Sequence, residues 1–231
     1  MANIDDIRAT IIATTGRSDK QSVIEDRIQQ AIIDIQRQGN HYFMEDTATI
    51  AIVVDQPEYT PTVGLMNSTF KEVSAIWSVD VDGLWDQSPI ESLGLEEARE
   101  KYNADDEGET QAYTFWRGKI LVWPPKPQDD TRDLLVEQYV FLPTLAFDAM
   151  ASNEITATWP DLLEAWATWR FYSKLPNAQD EAKFWKPIAD EEYLKLVQYS
   201  HKKHLQGKHV LKYFTSPKLR SRARALPFGG R

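Results

Sequence analysis

Isoleucines recur at helical spacing from the start of the chain: Ile4, Ile7 and Ile11 predict a short helix that Thr15-Gly16 stops. The pattern strengthens from Ser22, where Ile24, Ile28, Ala31, Ile32 and Ile35 share one face and Glu25, Asp26, Arg27, Gln29 and Asp34 take the other. Gly39 is expected to end this second helix in a left-handed cap. Isoleucine is a modest helix former, so tertiary packing must hold both segments. After His41 the period falls from about 3.6 to 2. Residues 48–54 alternate small and apolar side chains and predict a strand that Asp55-Gln56-Pro57 ends. Further strands are predicted at residues 73–81, 112–116, 119–123 and 134–141. Arg117-Gly118 separates two of these as the turn of a hairpin, and Pro124-Pro125 stops the second arm. A short helix at residues 95–102 and an acidic loop from Asp105 to Glu109 lie between the strands.

Helix returns at Trp159-Pro160-Asp161, where proline suits a first turn. Leu162, Leu163, Ala165, Trp166, Ala167, Trp169, Phe171 and Tyr172 then occupy most of the circumference, which predicts a helix enclosed on nearly every side. A last helix follows Asn177, with Ala178, Ala182, Trp185, Ala189, Tyr193 and Leu196 near heptad spacing, Pro187 as a kink point and Gly207 as its end.

Composition narrows the class. A chain of 231 residues with 42% hydrophobic side chains builds a substantial core. No window approaches eighteen consecutive apolar residues, and the acidic N-terminus lacks the basic and apolar regions of a secretory signal, so no membrane partner and synthesis in the cytoplasm are expected. Zero cysteines exclude disulfides, thiolate metal sites and thiol nucleophiles. Eight Trp, nine Tyr and nine Phe call for a thick core or contacts between chains.

Charge divides the chain in two. The formal net charge is -9, yet nine of the 26 Lys and Arg residues lie from His201 onward, where no Asp or Glu occurs; the other 17 face all 35 acids. So large an asymmetry predicts different partners for the body and the tail. The tail is not purely electrostatic, because Val210, Leu211, Leu226 and Pro217 and Pro227 interleave its cations. Apolar anchors at irregular spacing suit pockets on a protein, and prolines reduce the entropy lost on docking. The partner-binding residues predicted on this basis are Lys212, Tyr213, Phe214, Lys218 and Leu219, followed by Arg220, Arg222, Arg224, Phe228 and Arg231. From Lys212 the arm spans about 65 Å at roughly 3.3 Å per residue when extended.

Catalytic constellations are absent from this reading. No glycine-rich phosphate loop, nucleophile elbow or zinc signature occurs, so neither catalytic residues nor a cofactor is expected. His201 and His204 share helical spacing, but Lys202, Lys203 and Lys208 repel a divalent cation, and no metal site is expected. Asp80-Val81-Asp82-Gly83 lacks the further ligands of a calcium loop and reads better as a hairpin turn. Asp105, Asp106, Glu107 and Glu109 are contiguous rather than opposed, as a solvated loop would be. Trp77, Trp85, Trp116 and Trp123 could stack sugars, although Trp116 and Trp123 on one hairpin fit core or cross-strand packing better.

The order of segments carries a resemblance. The acidic start of the first helix, "IQRQGN", "ATIAIVVDQPEYTP", "FKEVSAIWSVDVDGLWDQSPIESLGLEEAREKY", "YTFWRGKILVWPPKP" and "WPDLLEAWATWRFYSKL" together resemble the head-to-tail adaptor proteins of tailed bacteriophages, also called connector or head-completion proteins. It covers about residues 1–200; the segment beyond Gly207 lies outside it. The resemblance implies a non-enzymatic virion protein, a helical bundle that assembles as a ring, typically of twelve copies, beneath the portal protein at the neck of the particle. Such a ring extends the channel through which double-stranded DNA passes during genome ejection and docks tail or nozzle proteins. The expected fold class is therefore α+β: a helical bundle of N-terminal helices (residues 1–43) and C-terminal helices (151–206), a central β-rich insertion (44–150) and an extended basic C-terminal arm (207–231). Two alternatives remain: a nucleic-acid-binding protein using the basic tail, and a carbohydrate- or receptor-binding virion protein using the tryptophans.

Overall fold

The computed structural model describes residues 2–63, 68–80, 88–128 and 132–215, with side chains of the last helix described through Lys203. The fold is mixed α+β. Its helices are α1 (Ile4–Thr15), α2 (Gln21–Gln38), α3 (Leu95–Lys101), α4 (Glu154–Thr158), α5 (Pro160–Ser173) and α6 (Gln179–Thr215). Its strands are β1 (Glu45–Ala51), β2 (Glu58–Tyr59), β3 (Thr69–Asp80), β4 (Glu91–Ser92), β5 (Glu107–Gly108), β6 (Ala112–Trp116), β7 (Lys119–Trp123), β8 (Lys126–Pro127) and β9 (Arg132–Phe141). The chain separates into a helical unit, formed by residues up to Met44 with Phe141–Gly207, and a β unit built on Glu45–Val140. The segment from Phe141 to residue 150 thus belongs with the helices.

In the helical unit, α1 starts where the Asn3 side chain accepts the backbone N–H groups of Asp5 and Asp6 at 2.9 and 3.0 Å, while the Asp6 carboxylate accepts the Asn3 N–H at 3.1 Å. This reciprocal cap satisfies donors that a helix start otherwise leaves unpaired. Gly16, at φ 64°, closes the helix in the left-handed region. Ile4, Ile7 and Ile11 from α1 and Ile24, Ile28, Ile32 and Ile35 from α2 are fully buried. Each contributes about 1.5–3 kcal/mol of transfer free energy, which offsets isoleucine's weak helical preference. Helix α5 packs on both α1 and α2. Leu162, Leu163, Ala165, Trp166, Ala167, Thr168 and Phe171 are buried, so this helix is enclosed over much of its circumference. Pro160 occupies its first turn.

Gly39 does not form the expected left-handed cap: its φ of -167° and ψ of 177° are extended, so the chain leaves α2 directly without reversing. The second difference concerns α6. Its backbone runs through Gly207 to Thr215, where the sequence predicts a helix end at Gly207 and an extended arm beyond. Glycine inside a helix costs only about 1 kcal/mol and does not stop one. The same helix also carries Pro187 in its interior. Helix α4 has no counterpart in the sequence reading; its start is marked by Asn153, whose side chain accepts the Thr156 N–H at 3.1 Å.

The β unit holds two sheets, ordered β1-β9-β3 and β2-β7-β6-β4, and a small β5-β8 ladder. Ile50, Ile52, Ile76, Leu134 and Val136 of the first sheet region share one core with Tyr59, Tyr113, Ile120 and Val122 of the second. Leu93, Ala112 and Trp123, on the second sheet's other face, pack against Ala98 of α3. The β6-β7 hairpin pairs Ala112 with Trp123 and Trp116 with Lys119. Arg117 and Gly118 turn it with φ values of 49° and 78°, the double left-handed geometry of a tight hairpin. Strand β1 begins three residues earlier than the sequence suggests and stops at Ala51. Its early end has a local cause: the Tyr59 hydroxyl accepts the Val53 N–H at 3.0 Å and donates to the Val53 carbonyl at 3.3 Å, replacing strand pairing there. Val53 and Val54 remain exposed.

Candidate interaction surface

Helix α6 has two apolar faces of different character. Its inner face carries Ala182, Ala189, Leu196 and Ser200, all buried, and Ala178 just ahead of its first turn is buried too. Small side chains there permit close approach, and larger rings grip the rest. Tyr193 stands edge-on to His41 at 5.7 Å and lies 5.6 Å from Trp166, while Tyr199 meets Tyr42 at 5.1 Å and Trp159 at 5.7 Å. His41 is buried beneath this row: its Nε2 donates to the Ile35 carbonyl at 3.1 Å, and Ser200 Oγ lies 3.5 Å from Nδ1. The geometry gives this histidine a structural task, joining the end of α2 to α6. Trp169 is covered by two cations, Arg170 at 4.6 Å and Lys186 at 5.1 Å, and Arg170 pairs with Asp34 at 2.6 Å.

The outer face of α6 presents Phe184, 63% exposed, and Leu194, 57% exposed, together with exposed Val197. Lys183, Lys186, Pro187, Asp190, Glu191 and Leu194 line a groove of about 480 Å³ along it. Sequence reasoning singled out the inner heptad but not this second stripe. Its signal was present, since Phe184, Pro187, Glu191 and Leu194 also follow three- and four-residue spacing.

A second feature lies between β9 and α4. Asp148 and Met150 have φ values of 61° and 50°. Left-handed backbone at such residues costs on the order of 1 kcal/mol each and needs support. The Asp5 carboxylate supplies it, accepting the N–H groups of Asp148 at 2.9 Å and Met150 at 3.0 Å. Ile4 N–H donates to the Ala151 carbonyl at 3.0 Å. Arg8 completes the clamp, reaching Asp5 at 3.0 Å, Glu25 at 2.6 Å and Asp148 at 2.6 Å, with its guanidinium 5.4 Å from the Phe147 ring. Hydrogen bonds from Asp148 and Met150 and the nearby Arg8 hold the Asp5 carboxyl below its ordinary range despite some desolvation. Hydrogen bonds to Asp148 first and then to Glu25 push the Arg8 guanidinium further above its ordinary value. Met150 is left 74% exposed. Nothing in the helical or strand periodicities points to it, because the device depends on contacts between Asp5 and residues more than 140 positions away.

A smaller cavity of about 250 Å³ is lined by Thr10, Asp161, Glu164, Trp185 and Glu192, among others. Burial pushes the Glu164 carboxyl upward, neighbouring Asp161 adds to the effect, and a hydrogen bond with Thr10 opposes it. In the β unit, Trp123 is buried and donates its Nε1–H to Thr114 Oγ1 at 3.0 Å. Trp116, 46% exposed, lies at the hairpin tip with Arg117 5.6 Å from its ring. These two tryptophans therefore do not pair across the hairpin.

Of the predicted partner-binding residues, Lys212, Tyr213 and Phe214 fall on the last turn of the α6 backbone. Lys218, Leu219, Arg220, Arg222, Arg224, Phe228 and Arg231 lie outside the described residues, as do Asp82-Gly83 and Trp85. His201 is exposed on α6. Among the described residues no group of three His, Asp or Glu side chains is placed to hold a metal ion, and no helix is long and apolar enough to cross a membrane. No protein-family model matches the chain, and no curated protein matches it.

Proposed function

We propose that this chain is a structural subunit of a tailed-phage neck, a head-to-tail adaptor whose helices form a bundle that assembles as a ring beneath the portal. The observation that carries the reading is α6, which satisfies its own unit with one face and holds Phe184, Leu194 and Val197 in solvent on the other. An apolar stripe of this kind suits a subunit that completes its surface by association. The chain's charge supports the same reading. An acidic body lining a channel lets DNA pass without adhering, because phosphate binding requires neutralising cations. The acid-free C-terminal arm, with Phe214, Leu219 and Phe228 among its cations, acts as an anchor on the portal or on a neighbouring subunit. Docking of tail proteins and passage of DNA follow from that position in the particle.

Deletion of residues 212–231 tests the arm: attachment to portal is lost while the remaining chain stays folded, and unchanged attachment contradicts the assignment. Alanine at Phe214 and Phe228, compared with neutral replacements at Arg220, Arg222 and Arg224, separates anchoring from nucleic-acid binding. Protein docking responds to the aromatics, whereas phosphate binding responds to the cations and to salt.

A further inference from the structure

We infer that an arginine from the C-terminal arm of one copy, Arg220 or Arg222, enters the acidic cavity between α1, α5 and α6 of a second copy. The inference rests on the proposed assembly and gives the arm a seat within it. The cavity, about 250 Å³, is lined by Asp161 and Glu164 from α5 and by Trp185 and Glu192 from α6, and among the described residues no Lys, Arg or His lines it. The outer depression of α6 differs, because Lys183 and Lys186 balance its acids and Lys186 is held by Asp190 at 2.6 Å.

Within the cavity the negative charge lacks an answer. Glu192 has Lys195 at 2.7 Å, but among the described residues Asp161 and Glu164 take part in no ion pair. Thr168, 1% exposed, lines the same space with a hydroxyl that makes no hydrogen bond among the described residues. Burial and the neighbouring Asp161 already disfavour a charged Glu164, and a cation between the two carboxylates relieves both effects. A guanidinium fits these groups better than an ammonium, since its planar fork donates to several acceptors at once and its flat face stacks on an indole such as Trp185. The arm supplies it: beyond Ser216 the chain carries Lys218, Arg220, Arg222, Arg224 and Arg231 and no acid.

Reach decides whose arm enters. Glu192 is the cavity residue of α6 nearest the helix end, and the helix continues unbroken to Thr215, a distance of about 35 Å at roughly 1.5 Å per residue. Arg220 and Arg222 follow Thr215 by five and seven residues, so a fully extended and reversed backbone brings them back only about 17 and 23 Å. The gap that remains exceeds an arginine side chain, which leaves the cavity of another copy as their seat.

The chain contains no cysteine, so introduced thiols report alone. Thr14 is exposed at the cavity, and Ser221 lies between the two arginines. Thr14→Cys chains and Ser221→Cys chains of distinguishable mass are mixed at high concentration, alone and with the portal ring that the proposal assigns to them, and treated with a short bismaleimide. Linked pairs holding one chain of each kind are expected. Asp161→Asn with Glu164→Gln in the first chain, or Arg220→Gln with Arg222→Gln in the second, should lower their yield about tenfold or more. Glu164→Gln alone, which removes a buried charge without loosening the fold, should lower it too. Asp190→Asn with Glu191→Gln removes as much charge from the outer depression and should leave the yield unchanged. Linking indifferent to the cavity substitutions, or equally reduced by the outer ones, overturns the seat. So does a Thr14→Cys/Ser221→Cys chain that links within itself and not to its neighbours. Native mass on the same samples separates the two claims: assemblies without the 14–221 link discard this seat and keep the ring, while monomers without links discard both.

Discussion

At the residue scale the structure sets two carboxylates to opposite uses. Asp5 is stabilised as an anion by the N–H groups of Asp148 and Met150 and by Arg8, so its folded value lies below the ordinary 3.8. Its contribution is fully present above that ordinary value and is lost as pH falls through the lower folded one. Asp5→Asn should therefore lower the melting temperature at neutral pH and accelerate amide exchange at Asp148 and Met150; unchanged protection there would contradict the clamp. Glu164 is displaced the other way, above its ordinary 4.5, chiefly by burial. The cost of charging it is absent below that ordinary value and grows as pH rises through the folded one. Glu164→Gln should raise the melting temperature at neutral pH and leave it unchanged in acid, because glutamine keeps the shape of the side chain while the buried charge is gone. A stabilisation equal at both pH values would assign the gain to packing instead.

At the element scale, local chemistry decides most of what forms. The β6-β7 hairpin occupies the residues its alternation predicts, because Arg117-Gly118 meets the double left-handed requirement of a two-residue turn. Gly118→Val should cost about 1 kcal/mol or more in urea denaturation, since a β-branched side chain resists that φ. The faces of α1, α2 and α5 were legible for a similar reason: their isoleucine, leucine and tryptophan positions repeat at the helical period. What the pattern misses depends on distant partners. Strand β1 ends at Ala51 although apolar residues continue to Val54, because Tyr59 captures Val53. Helix α6 runs through Gly207 rather than ending there, absorbing the glycine's cost. Neither the Asp5 clamp nor the exposure of Met150 has a periodic signature, and the outer stripe of α6 was overshadowed by the stronger heptad on its inner face.

At the scale of the whole molecule, the proposed assembly accounts together for an acidic chain with a basic end and an outward apolar helix face. Isolated, it leaves Phe184, Leu194 and Met150 in water. In the proposed ring the exposed face of α6 would gain a neighbour, and the cationic arm a surface with which its aromatic and aliphatic anchors can pack. The measurement that tests this proposal most directly is the native mass of the full chain, purified alone and then mixed with the portal ring that the proposal assigns to it. The account predicts a single population of defined copy number that forms on the portal. A chain that remains monomeric at every ratio of the two proteins would contradict it.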